Sequence, residues 1–203
     1  MPHRKDRLGQ LQTKIRGVDI REATDLIVDA VEPQGRRSPE VWADFGAGDG
    51  TFTAALADLL PPGSRIYAVD RDPRAVKALA RRAAERAAVA VVTVLGDVTR
   101  PIELPGLDGR PLDGMILANT LHFISGAAAT LERLVRLLRP GGRVVLVEYD
   151  RRAASRWVPY PISATQLPEL AASAGLAPPV ITARRPSAFG GELYVAMVRR
   201  PVS

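Results

Sequence analysis

Val41-Trp42-Ala43-Asp44-Phe45-Gly46-Ala47-Gly48-Asp49-Gly50 is the stretch that decides how this chain folds. Five residues read as a short apolar strand carrying an acid near its end, followed by three glycines at alternate positions. Thr51 to Leu60 then places Phe52, Leu56, Leu59 and Leu60 along one helical face. Glycine permits positive φ and leaves room for close approach of a ligand. A helix that starts directly behind the glycines presents unpaired N–H groups to an anion. Strand, glycine turn and helix together open a doubly wound α/β sheet. The dinucleotide fingerprint wants its last glycine at position 51, where this chain has Thr51, and a pyrophosphate would meet Asp44 and Asp49.

The acidic-x-Gly-x-Gly-x-Gly pattern from Asp44 to Gly50 resembles the first motif of class I S-adenosylmethionine-dependent methyltransferases. The resemblance implies a cofactor with a cationic ammonium and sulfonium, suited to Asp44 and to Asp49. Its one carboxylate suits the helix N–H groups after Gly48. Asp44, Gly46 and Gly48 are the first cofactor-binding candidates.

Outward from this motif the pattern alternates. A helix is expected over Asp19 to Val31, strands over Arg65 to Val69 and Val89 to Leu95, and a helix between them from Asp72-Pro73 to about Ala87. The β-branched run from Val89 predicts a strand buried on both faces. A strand at Leu112 to Ala118, a helix at Ala127 to Leu138, a turn at Arg139-Pro140-Gly141-Gly142 and a strand at Arg143 to Val147 follow. Ala164 to Ala174 reads as a helix stopped by Gly175. Val180 to Ala183 and Glu192 to Val198 are joined too briefly for a crossover and must pair antiparallel. The expectation is one domain: a mostly parallel seven-stranded sheet with an antiparallel last strand, the Rossmann-like methyltransferase fold. Residues 1–18 are expected to form a basic arm or lid.

Open α/β sheets bind ligands beyond the carboxyl ends of their strands. Those ends are Asp44, Asp70, Asp97, Asn119 and Glu148, each polar after an apolar run. Asp70, with Arg71 beside it, is expected at the ribose hydroxyls, or else as a partner for the next helix. Gly96-Asp97-Val98 resembles the family segment that meets adenine, the alternative being a plain loop carboxylate. Leu117-Ala118-Asn119-Thr120-Leu121-His122-Phe123 resembles the segment after strand four in small-molecule methyltransferases, including those of quinone biosynthesis. Leu138 to Arg143 resembles their turn before strand five, so the resemblance covers Val41 to Asp150. An Asn/Asp-Pro-Pro-aromatic tetrapeptide for methylating nucleobase amines is absent, since Asn119 precedes Thr120-Leu121.

Asn119 and His122 are expected to face the reaction. An unperturbed imidazole titrates near pH ~6.5 and can take a proton from an acceptor. The other role open to His122 is packing or capping. Glu148, Tyr149, Trp157 and Tyr160 are candidates for the acceptor side. The proline-bracketed pair Trp157 and Tyr160 is either a wall for a flat substrate or a loop folded onto the core.

Composition narrows the classes. The 203 residues contain no cysteine, which excludes disulfides, thiolate metal sites and a thiol nucleophile. No apolar run is long enough to span a membrane and no secretory signal is visible, so a cytoplasmic protein is expected. The net charge of +6 comes from scattered arginines, Lys5, Lys14 and Lys77 being the only lysines. It reads as solvated surface more than as a nucleic-acid footprint. The expected function is methyl transfer from S-adenosylmethionine to a small molecule. Its rivals are an RNA or protein methyltransferase and a non-catalytic module of the same fold.

Overall fold

A computed structural model describes residues 18–31, 38–83, 88–187 and 190–202. The expected arm at residues 1–18 lies outside the described residues except for Val18. Helix α1 (Ile20–Val31) starts with a reciprocal cap. The Glu22 N–H donates to Asp19 Oδ1 at 2.9 Å, and the Asp19 N–H donates to Glu22 Oε2 at 3.1 Å. Strand β1 (Val41–Phe45), α2 (Thr51–Leu59), β2 (Arg65–Asp70), α3 (Pro73–Ala83) and β3 (Ala90–Leu95) follow in strict alternation. Then come β4 (Leu112–Ala118), a 3-10 turn at Leu121–Phe123, α4 (Ala127–Val135), β5 (Leu138–Asp150), α5 (Leu167–Ser173), β6 (Val180–Pro186) and β7 (Glu192–Arg199).

The seven strands form one sheet in the order β3-β2-β1-β4-β5-β7-β6, parallel except for β7, which runs antiparallel to both neighbours. Alternate strand residues feed two cores. Phe45, Leu117 and Leu146 pack toward α4 and α5; Trp42, Ile66 and Val145 pack toward α1 and α2. One polar knot is sealed into the second core. The Arg143 guanidinium, 1% exposed, donates to Glu40 Oε2 at 2.5 Å and to the Val31 carbonyl, and lies 4.8 Å over the Trp42 ring. Trp42 Nε1 donates to the same Glu40 oxygen at 2.7 Å. Gly114 makes room for that indole, since a Cβ there would sit 2.5 Å from the ring.

Three expectations are corrected. β3 is half-buried, with Leu95 exposed, because it lies at the edge of the described sheet and pairs only with β2 there. Helix α4 stops at Val135, and Leu138 already belongs to β5. Arg139 to Gly142 is a bulge inside β5 and not a turn before it, as the register jumps from Leu112 opposite Leu138 to Gly114 opposite Arg143. The extra backbone finds partners. The Gly141 N–H donates to the Arg200 carbonyl and the Arg200 N–H to the Gly142 carbonyl, both at 2.9 Å. Arg139 Nε donates to Asp113 Oδ1 at 2.7 Å.

Candidate functional site

A cleft of about 450 Å³ opens at the carboxyl ends of β1 to β4. Asp44, Gly46, Gly48, Asp70, Arg71, Asp97, Val98 and Asn119 all line it, and Arg71 is the one basic residue on its wall among the described residues. The glycine turn is tied down first. The N–H groups of Gly46 and Ala47 both donate to the Val69 carbonyl, and the Gly48 N–H donates to Asp70 Oδ2 at 2.7 Å. Gly46 has φ 82°, and a Cβ there would lie 2.4 Å from Thr120 Oγ1. Gly48, at φ 54°, meets nothing nearer than 3.9 Å in that direction, so its missing side chain leaves space open.

Asp44 is 1% exposed. Thr53 Oγ1 donates to its Oδ2 at 2.6 Å, whereas Oδ1 has no hydrogen-bond partner among the described residues. Burial raises its pKa to about 7 despite the Thr53 hydrogen bond, with smaller upward contributions from Asp70 and Asp49. A buried acceptor with no donor fits a ligand ammonium. The folded state holds this proton more tightly than the unfolded chain. Asp44 therefore stabilises the ligand-free fold fully below pH ~4 and loses that contribution as pH rises through about 7. A cationic ligand selects the ionised carboxylate, so binding expels the proton. Calorimetry of S-adenosylhomocysteine binding near pH ~6, in two buffers of different ionisation enthalpy, is expected to read release of roughly one proton. Asp44→Asn is expected to read none.

The remaining acids are partly occupied. Asp70 Oδ1 accepts the Asp72 N–H at 2.8 Å, so each of its oxygens holds one backbone donor and keeps one lone pair for a ligand. Asp97 Oδ1 accepts from Thr99 N and Oγ1, which holds its pKa below the usual carboxylate range. Asp49 Oδ1 accepts from the Thr51 N–H and hydroxyl, so it is engaged before any ligand arrives. Asn119 sits at φ 53°, donates its N–H to Val147 and leaves Oδ1 without a partner among the described residues.

His122, Glu148 and Tyr149 form a second cluster behind the cleft wall. His122 is 2% exposed, and its Nδ1 lies 2.6 Å from Glu148 Oε2. Glu148 Oε1 accepts the N–H groups of Leu121 and His122 at 3.0 and 3.4 Å. The imidazole packs between Phe123 at 4.3 Å and Tyr149 at 5.6 Å, ring centre to ring centre. Trp157 and Tyr160 are exposed, and the loop carrying them is anchored through Val158, 1% exposed. Positions that escaped the sequence include Thr53, which orients Asp44; Thr120, packed at Gly46; Thr99, bonded to Asp97; and the cleft residues Phe123 and Ile124. Only Thr53 left a signal, a hydroxyl in the first turn of the helix behind the motif.

The family described as "Methyltransferase domain" matches residues 43–144, half of the chain and the segment that builds the cleft. This chain belongs to that family. Its cofactor is S-adenosylmethionine. Among curated proteins the methyltransferase chain is 35% identical over 126 residues to demethylmenaquinone methyltransferase of Beutenbergia cavernae, covering 62% of this chain and 46% of that protein. It is 29% identical over 180 residues to an uncharacterized 37.1 kDa transposon protein of Streptomyces fradiae, covering 79% and 49%. The chain thus spans about half the length of these relatives. Among solved structures, the 1,6-didemethyltoxoflavin-N1-methyltransferase of Burkholderia thailandensis superposes with a TM-score of 0.67 at 25% identity, covering 95% of this chain and 82% of that one. That structure holds 1,6-didemethyltoxoflavin and S-adenosylhomocysteine. Among the described residues no helix is long and apolar enough to cross a membrane.

Proposed function

We propose that this methyltransferase domain transfers a methyl group from S-adenosylmethionine to a small-molecule acceptor. The observation that carries the reading is the buried, unpartnered Asp44 oxygen at the head of an acid-lined glycine turn. The 1,6-didemethyltoxoflavin bound in the Burkholderia enzyme supports the acceptor class. Asp44 would take the cofactor's ammonium, Asp70 its ribose hydroxyls, and Asp97 with Val98 its adenine, while Asn119 lies toward the reacting end. When bound, S-adenosylmethionine supplies an electrophilic methyl group. The protein's task is then in-line alignment of the acceptor and exclusion of water. His122 would accept a proton from the acceptor at Nε2. Glu148 fixes the tautomer by accepting from Nδ1 and balances the imidazolium charge once it forms.

The cofactor assignment is tested by thermal shift. S-adenosylhomocysteine is expected to raise the melting temperature by mass action, while NAD at equal concentration leaves it unchanged. The opposite ranking would sink the methyl-transfer reading.

A further inference from the structure

The segment that follows β5 carries three arginines, Arg151, Arg152 and Arg156, and no acid from Arg151 to Pro168. The acids nearest in sequence are already engaged. Glu148 holds His122, and Asp150 Oδ2 accepts from Arg184, which also pairs with Glu192. None of the three guanidinium groups pairs with a carboxylate among the described residues. Arg152 lies 4.6 Å over the Tyr149 ring and Arg156 lies 4.5 Å over the Trp157 ring. Both rings therefore carry a cation against one face.

Large aromatic surface is exposed on the same run, Trp157 at 62% and Tyr160 at 48%, and on the neighbouring 3-10 turn, Phe123 at 49%. These rings are not on a loose loop. Val158 is buried, Ser155 and Val158 exchange backbone hydrogen bonds, and the Tyr160 N–H donates to the His122 carbonyl at 2.9 Å. Tyr194 Oη donates to the Ile162 carbonyl at 2.9 Å, closing the loop onto β7. Ring and cation contacts run without a break from Phe123 on the cleft wall through His122 and Tyr149 to Arg152. Arg151 holds φ 54°, a left-handed conformation that costs a non-glycine residue about 1 kcal/mol and that proteins retain where it aims a group. Acids thus ring the glycine turn, while arginines without a carboxylate partner among the described residues interleave with aromatic faces in the segment after β5, which Tyr160 ties to the 3-10 turn that carries Phe123.

We propose that the methyl acceptor is a flat, ring-bearing anion. Phe123, Trp157 and Tyr160 cover its ring, and Arg152 and Arg156 take its charge. This rests on the methyl-transfer reading and adds to it the chemical class of the acceptor. Naphthalene-2-carboxylate and its neutral isostere naphthalene-2-carboxamide are suitable probes, titrated by calorimetry into the wild type and the Arg152→Gln/Arg156→Gln variant. The carboxylate is expected to bind the wild type roughly tenfold more tightly than the amide, and the ratio to fall to about one in the variant. The variant's thermal shift with S-adenosylhomocysteine is expected to match the wild type, which certifies its fold. A ratio near one in the wild type, or a ratio unchanged in the variant, overturns the proposal. So does a short single-stranded RNA that binds more tightly than naphthalene-2-carboxylate, with steep salt dependence, and is lost in the variant, because the patch then serves nucleic acid. A protein that prefers the carboxylate yet gives no shift with S-adenosylhomocysteine fails differently: the ligand class survives and its role as methyl acceptor does not.

Discussion

Glu40→Ala is expected to destabilise the protein by about 3–5 kcal/mol, a large part of the ~5–15 kcal/mol that holds a domain of this kind together. Glu40 is 5% exposed, and one of its oxygens serves both the Arg143 guanidinium and the Trp42 indole. Alanine would leave a buried cation without this carboxylate and a buried N–H without its acceptor. The knot joins the end of α1, the entry to β1 and the middle of β5, so its loss loosens the second core as a whole. Urea denaturation should show the transition midpoint falling with an unchanged slope. Replacing both ends of the pair, Glu40→Leu with Arg143→Met, removes the buried charges together and is expected to recover most of the loss. A single variant as stable as the wild type would show that the pair contributes nothing net.

His122→Ala is expected to lower turnover by about 10²–10⁴ while leaving S-adenosylhomocysteine affinity within a few-fold of the wild type. The imidazole makes no part of the cofactor cleft, yet it touches Phe123, which does. Glu148 accepts from its Nδ1, so the lone pair at Nε2 is the one available for a proton. Glu148→Gln is expected to cost turnover as well, and also thermal stability, because Glu148 holds the N–H groups of Leu121 and His122. If His122→Ala loses stability but turns over within a few-fold of wild type, alignment alone carries the chemistry. The acceptor would then be a nucleophile that needs no base.

The sequence makes β1 legible to the residue because everything that defines it is local: an apolar strand, glycines required by positive φ at positions 46, 48 and 50, and a helix with one apolar face. The antiparallel β7 is legible for the same kind of reason, since the short segment after β6 has no length for a crossover. What stays hidden depends on partners distant in sequence. A β-branched run looks alike at a sheet's edge and at its centre, so the exposure of β3 follows only from strand order. Pro140-Gly141-Gly142 has the composition of a turn, and only the contacts with Arg200 make it a bulge in a continuous strand. Glu148 could be singled out as a polar residue at a strand end, and His122 as the histidine of the segment after β4. Their pairing needs β4 and β5 to lie side by side in the observed register.

The meeting of Gly46 and Thr120 has a consequence for how this molecule can change. Thr120 fills the space that any side chain at position 46 would need, so the turn after β1 and the segment after β4 fit like key and ward. Neither can be redesigned by itself. Trp157 and Tyr160 stand in the opposite situation, held in place through Val158 and backbone hydrogen bonds while their own rings face outward. Those side chains can be exchanged without disturbing what supports them. The protein is therefore divided into a half that is locked and a half that is free to vary, and new acceptors are best sought by diversifying the loop from Arg151 to Pro161.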